Sequence, residues 1–284
     1  MKVFIIGSGT MSTGITQVLM SSPDIEMVYV LSRSTEKAKA LVQRCLSKLE
    51  RLVQKEKITL EDFELAAKRV AVVDNYHELP NCALVIEAVA EDYEVKRTIF
   101  ESIDKHVAKD TIIASNTSSL SITELASHVS VPENVIGLHF FNPAPVMELV
   151  EIIAGALTAD KTRDKVYKLV EQLGKRPVIV EEAPGFIVNR MLIPMINEAV
   201  TILAEGVALK EDIDTAMMYG AHHPMGPLKL SDLIGNDVVL SIMDVIYKET
   251  GDSKYRAHPL LRKMVRAGLM GQKTNNGFYE YNNA

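Results

Sequence analysis

Over the first 180 residues, short runs of β-branched and aromatic residues alternate with stretches whose apolar positions recur every three to four residues. The runs KVFII, MVYVL, RVAVV, ALVIEAV, TIIAS, VIGLHF and VIV read as strands, and the stretches between them as amphipathic helices. Such alternation implies a mostly parallel sheet with helices on both faces. Between the second and third strands lies a longer helical excursion, residues 34 to 69, interrupted near Ile58. TLED, Thr59 to Asp62, has the form of a capping box that restarts the helix. At EEAPGFIVNR the pattern changes: Pro184 and Gly185 punctuate the chain, and the remainder reads as helix and turn rich in Leu and Met. The expected fold is α/β, with a Rossmann-type doubly wound domain over residues 1–183 that carries a helical hairpin. An all-helical domain follows over residues 184–284.

Composition narrows the function classes. The 284 residues are 47% hydrophobic and 24% charged with a net charge of −6. That balance argues against a nucleic-acid surface or a polybasic membrane anchor. No apolar run approaches the ~20 residues that a membrane span needs. MKVFIIGSG enters a strand at once, which leaves no room for a secretory signal. Cys45 and Cys82 fit a reducing compartment without structural disulfides. The expectation is a cytoplasmic protein with neither nucleic acid nor membrane as a partner.

VFIIGSGTMSTG places Gly7 and Gly9 directly after the first strand. The first glycine permits a tight turn. The second lets the backbone approach a pyrophosphate, which then sits on the N-terminus of the helix opened by Thr10 and Met11. The position of a third glycine holds Ser12, with Gly14 two residues further on. An isolated glycine turn is weak evidence, but this one stands between a strand and a helix, so the loop is assigned to a dinucleotide.

The second strand ends in VYVLSRS. A carboxylate about 20 residues past the glycines accepts hydrogen bonds from the adenosine ribose in NAD-binding units, whereas an arginine accommodates a 2′-phosphate. Here Ser32 and Arg33 occupy the spot. Hydroxyl and guanidinium groups offer charge-assisted hydrogen bonds to a phosphate that a carboxylate would repel. NADP(H) is therefore favoured over NAD(H). The competing view is that Arg33 faces solvent and Ser34 caps the next helix.

ASNTSSLSITEL, GLHFFNPAPVMELVEI, PGFIVNR and GFYEY together resemble the 3-hydroxyacyl-CoA dehydrogenase family, near its short bacterial 3-hydroxybutyryl-CoA dehydrogenases, along essentially the whole chain. The resemblance implies that His139 is the catalytic acid/base and that Glu151 orients it. It implies that Ser118 binds the substrate oxygen, that Asn189 lies beside the reacting group, and that Glu91, Lys96, Asn116 and Asn142 contact the cofactor. It also implies an acyl-CoA substrate and a homodimer whose contact comes from the helical domain.

The residue types suit that chemistry. Hydride exchange with a secondary alcohol requires a proton to move at the alcohol oxygen. A histidine titrates near working pH, and a carboxylate at its far nitrogen fixes the tautomer. Donors such as Ser118 and Asn189 can stabilise negative charge on a carbonyl oxygen. Taken singly, a core histidine or a helix-capping serine would explain each residue; in this order and spacing they point to catalysis.

Arg44, Lys48, Arg51 and Lys55 recur at steps of four, three and four and so share a helix face. Lys48, Arg51 and Lys55 are the candidates for the coenzyme A phosphates, although Glu50 and Glu56 interrupt the stripe as a merely solvated face would. In the helical domain, Met191, Met195, Met217, Met218 and Met243 read as core or interface. His222 and His223, before Pro224, read as structural, and no metal is expected. Asn236 and Asn275 depart from the family pattern. Asn275 replaces a glycine at a turn that Asn can tolerate, whereas Asn236 falls where an apolar residue is usual and leaves the subunit packing open.

The expected reaction is the reversible reduction of acetoacetyl-CoA to (S)-3-hydroxybutanoyl-CoA by NADPH. The alternatives are an NAD-dependent dehydrogenase of a longer 3-hydroxyacyl-CoA or of a sugar acid such as gulonate, and a non-catalytic nucleotide-binding relative.

Overall fold

The computed structural model describes residues 1–281; the last three residues of the expected helical domain lie outside the described residues. The chain divides into two compact units, Met1–Ala183 and the segment from Pro184 onward.

In the first unit eight strands form one sheet, ordered β3-β2-β1-β4-β5-β6-β7-β8. They are β1 (Lys2–Ile6), β2 (Met27–Leu31), β3 (Val70–Val72), β4 (Leu84–Glu87), β5 (Ile112–Ser115), β6 (Val135–Phe140), β7 (Leu149–Ala154) and β8 (Arg176–Glu181). Every pairing is parallel except β6 with β7. Strands β4, β5 and β6 are buried at every position, which is why they read as continuous apolar runs rather than alternating ones. Strand β7 was not among the runs expected from the pattern. Glu151 breaks up its apolar sequence, yet it is 1% exposed and points into the fold.

Helices α1 (Thr10–Ser21), α2 (Thr35–Gln54), α3 (Leu60–Lys68), α4 (Tyr93–Asp104), α5 (Ile122–Ala126) and α6 (Asp160–Gln172) connect the strands. The excursion is the pair α2–α3. Ser34 caps α2 by accepting from the Lys37 N–H, and Leu41, Cys45 and Leu49 form its buried stripe. The break falls at residues 55 to 59, and the capping box is complete: the Thr59 hydroxyl accepts from the Asp62 N–H, and the Asp62 carboxylate accepts from the Thr59 N–H.

The second unit packs α7 (Val188–Ala204), α8 (Lys210–Gly220), α9 (Pro227–Ile234), α10 (Asn236–Thr250) and α11 (Pro259–Arg266) around Ile196, Val200, Leu228, Val239, Met243 and Ile246. Met243 is core, whereas Met191 is 72% exposed. Asn236 belongs to the interior of this unit and not to its outer surface. It is fully buried, accepts from the Ser231 hydroxyl at 2.6 Å, and donates to Asp232 at 3.0 Å and to the Leu269 carbonyl at 2.9 Å. Asn275 adopts the left-handed conformation, φ 57°. Among the described residues no helix is long and apolar enough to cross a membrane.

Candidate active site

The register pairs Ile6 with Glu87 and Glu87 with Ser115, so β1, β4 and β5 end at the same level. Their outgoing loops therefore collect at one edge of the sheet: the glycine loop after β1, residues 88 to 91 after β4, and Asn116 to Ser119 after β5. Ligands of open parallel sheets bind at this carboxyl edge.

The loop residues fit a dinucleotide. At Gly7, φ is +136° and a Cβ would stand 2.4 Å from the Ala88 carbonyl oxygen, so only glycine can turn there. At Gly9 a Cβ would meet nothing within 4 Å, which leaves room above the backbone for a phosphate group. Gly9 is also the N-cap of α1, and no side chain caps that end. The N–H groups of its first turn, at Thr10 and Met11, thus point at the space in front of the loop, where the helix dipole favours an anion. Ser12 takes the third glycine position and is fully buried, its hydroxyl donating to the Ala88 carbonyl at 2.8 Å. It pins helix to strand. At the end of β2 the Ser32 hydroxyl donates to the Ser8 hydroxyl at 2.9 Å. Arg33 is exposed, and no carboxylate lies within ion-pair distance of it among the described residues.

Strand β6 delivers His139 directly opposite Glu151 of β7. Opposed residues of an antiparallel pair project to the same face, and the His139 Nδ1 stands 2.8 Å from a Glu151 carboxylate oxygen. Both side chains are buried, 8% and 1% exposed. The Phe141 ring lies against the imidazole, centroids 4.4 Å apart. Asn116 accepts from the Phe140 N–H at 3.0 Å and ties the end of β6 to the turn after β5. The Asn142–Pro143 peptide after this strand is cis.

Glu91 organises the serine-rich turn. One of its oxygens accepts from the Thr117 hydroxyl at 2.6 Å, from the Ser118 N–H at 2.7 Å and hydroxyl at 3.0 Å, and from the Ser119 N–H and hydroxyl at 3.0 Å. Burial pushes the Glu91 carboxyl up, but the Lys96 charge and these donors outweigh it and hold the group below the usual carboxylate range. The Lys96 ammonium, itself enclosed, bonds both oxygens of Glu87 at 2.8 and 2.9 Å and lies 3.4 Å from Glu91.

The structure thus brings Gly7, Gly9, Thr10, Met11, Glu91, Asn116, Ser118, His139 and Glu151 to one sheet edge and its loops, with Ser32 joined to the glycine loop. Asn189 lies in the first turn of α7, in the second unit. Lys48 and Arg51 are exposed on α2, and Lys55 is its C-cap residue.

Three supporting residues escaped the sequence reading. Glu87 could have been noticed as a carboxylate ending an otherwise apolar strand. Thr117 lay inside a motif valued for its serines. Lys175 carried no signal at all, yet its ammonium bonds the carbonyls of Ala144, Pro145 and Met147 at 2.8, 3.3 and 2.9 Å and so holds the loop after Asn142. Desolvation lowers its pKa.

A glycine loop that fits a dinucleotide and a buried histidine–carboxylate pair, at the same edge of a Rossmann-type sheet, are the parts of a dinucleotide-dependent oxidoreductase. The chain belongs to the 3-hydroxyacyl-CoA dehydrogenase family: residues 2–183 match that family's NAD binding domain and residues 185–281 its C-terminal domain. It is 52% identical over 283 residues to the 3-hydroxybutyryl-CoA dehydrogenase of Clostridioides difficile, covering 99% of this chain and 100% of that one. It is 46% identical over 284 residues to the enzyme of the same name from Bradyrhizobium diazoefficiens, covering 100% and 96%. The crystal structure of (S)-3-hydroxybutyryl-CoA dehydrogenase from Ralstonia eutropha superposes with a TM-score of 0.96 at 46% identity, covering 99% of both chains.

Proposed function

We propose that this protein interconverts acetoacetyl-CoA and (S)-3-hydroxybutanoyl-CoA, with NADPH preferred over NADH. The observation that carries the reading is the buried contact between His139 and Glu151 at 2.8 Å. With Nδ1 turned to the carboxylate, proton exchange with the substrate falls to Nε2. In reduction His139 gives that proton to the 3-keto oxygen, while Glu151 holds the ring in one tautomer and stabilises the imidazolium. The Ser118 hydroxyl, held on Glu91, can rotate to donate to the same oxygen as charge develops. Asn189 is assigned a substrate-side donor on its motif. When bound, a reduced nicotinamide supplies the hydride.

Glu91, Lys96, Asn116 and Asn142 are assigned to the cofactor side. The missing carboxylate at Ser32 and the exposed guanidinium of Arg33, without an ion pair among the described residues, support a 2′-phosphate, and the exposed Lys48, Arg51 and Lys55 support coenzyme A. The identity of the relatives supports a four-carbon substrate. Exposed Met191, Val207, Leu209 and Tyr219 in the second unit support a homodimer, and two buried free thiols support the cytoplasm.

The test is kcat/KM for NADPH and NADH with acetoacetyl-CoA at fixed ionic strength. A tenfold preference for NADPH, about 1.4 kcal/mol in the transition state, is expected, and Arg33→Ala should collapse it. A preference for NADH would sink the phosphate assignment and leave the dehydrogenase standing. No turnover with either cofactor would sink the reaction.

A further inference from the structure

Arg44 was grouped by spacing with the cations of α2, but its guanidinium is engaged elsewhere. Its Nη2 donates to the Ser8 carbonyl at 3.0 Å and to the Thr13 hydroxyl at 3.2 Å. Ser8 is the residue between Gly7 and Gly9. The Thr13 hydroxyl in turn donates to the Gly9 carbonyl at 2.9 Å. On the other side of the loop Ser32 holds the Ser8 hydroxyl. The next residue of α2, Cys45, donates its S–H to the Thr13 carbonyl at 3.2 Å. One turn of α2 is therefore fastened to the loop and the first turn of α1, where the pyrophosphate N–H donors are presented.

We propose that Arg44 is a positioning residue for the cofactor: it holds the glycine loop in its phosphate-binding shape and takes no part in coenzyme A binding. A glycine-rich loop is the segment that loses most conformational freedom when ordered. Two donors from one planar, always-charged group remove that freedom before the ligand arrives. The guanidinium also adds positive charge beside the site of a dianionic group. Two Arg44 contacts end on acceptors of the loop and of helix α1, whereas Lys48, Arg51 and Lys55, exposed as Arg44 is, make no side-chain hydrogen bond or ion pair among the described residues. The stripe is thus split between two ligands. The inference needs no choice between NADPH and NADH.

The test is a double dissociation. Binding of NADPH and of NADH is titrated by nicotinamide fluorescence, and KM for acetoacetyl-CoA is measured at saturating cofactor, for the parent, Arg44→Met, Arg44→Lys and Lys48→Met. Arg44→Met should weaken both reduced cofactors at least fivefold and leave the acyl-CoA KM within twofold. Arg44→Lys should recover part of the loss, because one donor can still reach Ser8. Lys48→Met should show the reverse pattern. The proposal is overturned if Arg44→Met leaves cofactor binding within twofold of the parent on both cofactors, if Arg44→Lys binds no better than Arg44→Met, or if Arg44→Met raises the acyl-CoA KM more than twofold. Because binding is read without turnover, a failure of the proposed reaction would not be mistaken for a failure of this inference.

Discussion

The Glu87–Lys96 pair offers a sharp energetic test of how the site is supported. Its side chains are 0% and 1% exposed. Glu87 accepts from the Lys96 ammonium with both oxygens, from the Ser115 hydroxyl at 2.6 Å and from the Val89 N–H at 2.6 Å. Replacing it by Leu leaves the ammonium with the more distant Glu91, and strands the buried Ser115 hydroxyl and the half-buried Val89 N–H. Removing one partner of a buried ion pair costs about 3–5 kcal/mol. The double variant Glu87→Leu/Lys96→Met strands the two donors but neither charge of the pair, at about 1–3 kcal/mol for each orphan that water cannot reach, and Glu91 keeps its serine-turn donors. Both variants strand the same two donors, so those costs cancel, and the double variant should be more stable than Glu87→Leu alone by the cost of the orphaned ammonium less what Glu91 offsets, roughly 2 kcal/mol or more. Lys96→Met alone should be the milder single change, because Ser115 and Val89 still satisfy the carboxylate. Urea unfolding of all four proteins, followed by circular dichroism, measures the cycle. Additive losses, with no rescue by the second substitution, would refute the claim that the ammonium depends on Glu87.

Three further outcomes are expected. Glu151→Gln keeps an acceptor for His139 but removes the charge, the difference between a charge-assisted and a neutral hydrogen bond of about 1–2 kcal/mol. In the proposed reaction kcat should fall roughly 5- to 30-fold, and a loss below threefold would remove Glu151 from the mechanism. Asn236→Ala should destabilise by about 2–4 kcal/mol, since it deprives Ser231, Asp232 and Leu269 of buried partners; a loss under about 1 kcal/mol in urea would contradict the network. Burial pushes the thiols of Cys45 and Cys82 up to about 11. Only about one thousandth of each is thiolate at pH 8, so a disulfide reagent should modify them slowly in the folded protein and quickly in denaturant, and rapid native labelling would refute that burial.

Residues whose role is set by local pattern were readable from the sequence. The glycine turn, the Thr59–Asp62 box and the apolar strands announce themselves because backbone geometry and burial dictate residue type at fixed short spacings. His139 and Glu151 could be paired through the family resemblance, but their strand pairing could not be read from periodicity. Strand β7 is a buried strand whose one inward carboxylate disguises it. Lys175 and Arg44 were illegible for another reason: each bonds backbone carbonyls about 30 or more residues away, and a carbonyl leaves no mark in the sequence. Asn236 stood out only as a polar residue where an apolar one is usual, and its three partners, which satisfy it in the interior, could not be read from the sequence.

The antiparallel pairing of β6 with β7 carries a meaning for folding. Side chains alternate along a strand, so a slip of one residue would turn Glu151 to the opposite face. There it would lie among Ile136, Leu138 and Phe140 of β6, all buried. An unpaired carboxylate in such surroundings is costly by several kcal/mol. The histidine–carboxylate contact therefore works as a register key, penalising the misaligned hairpin. A chain that has closed this sheet in its stable form has already oriented its imidazole.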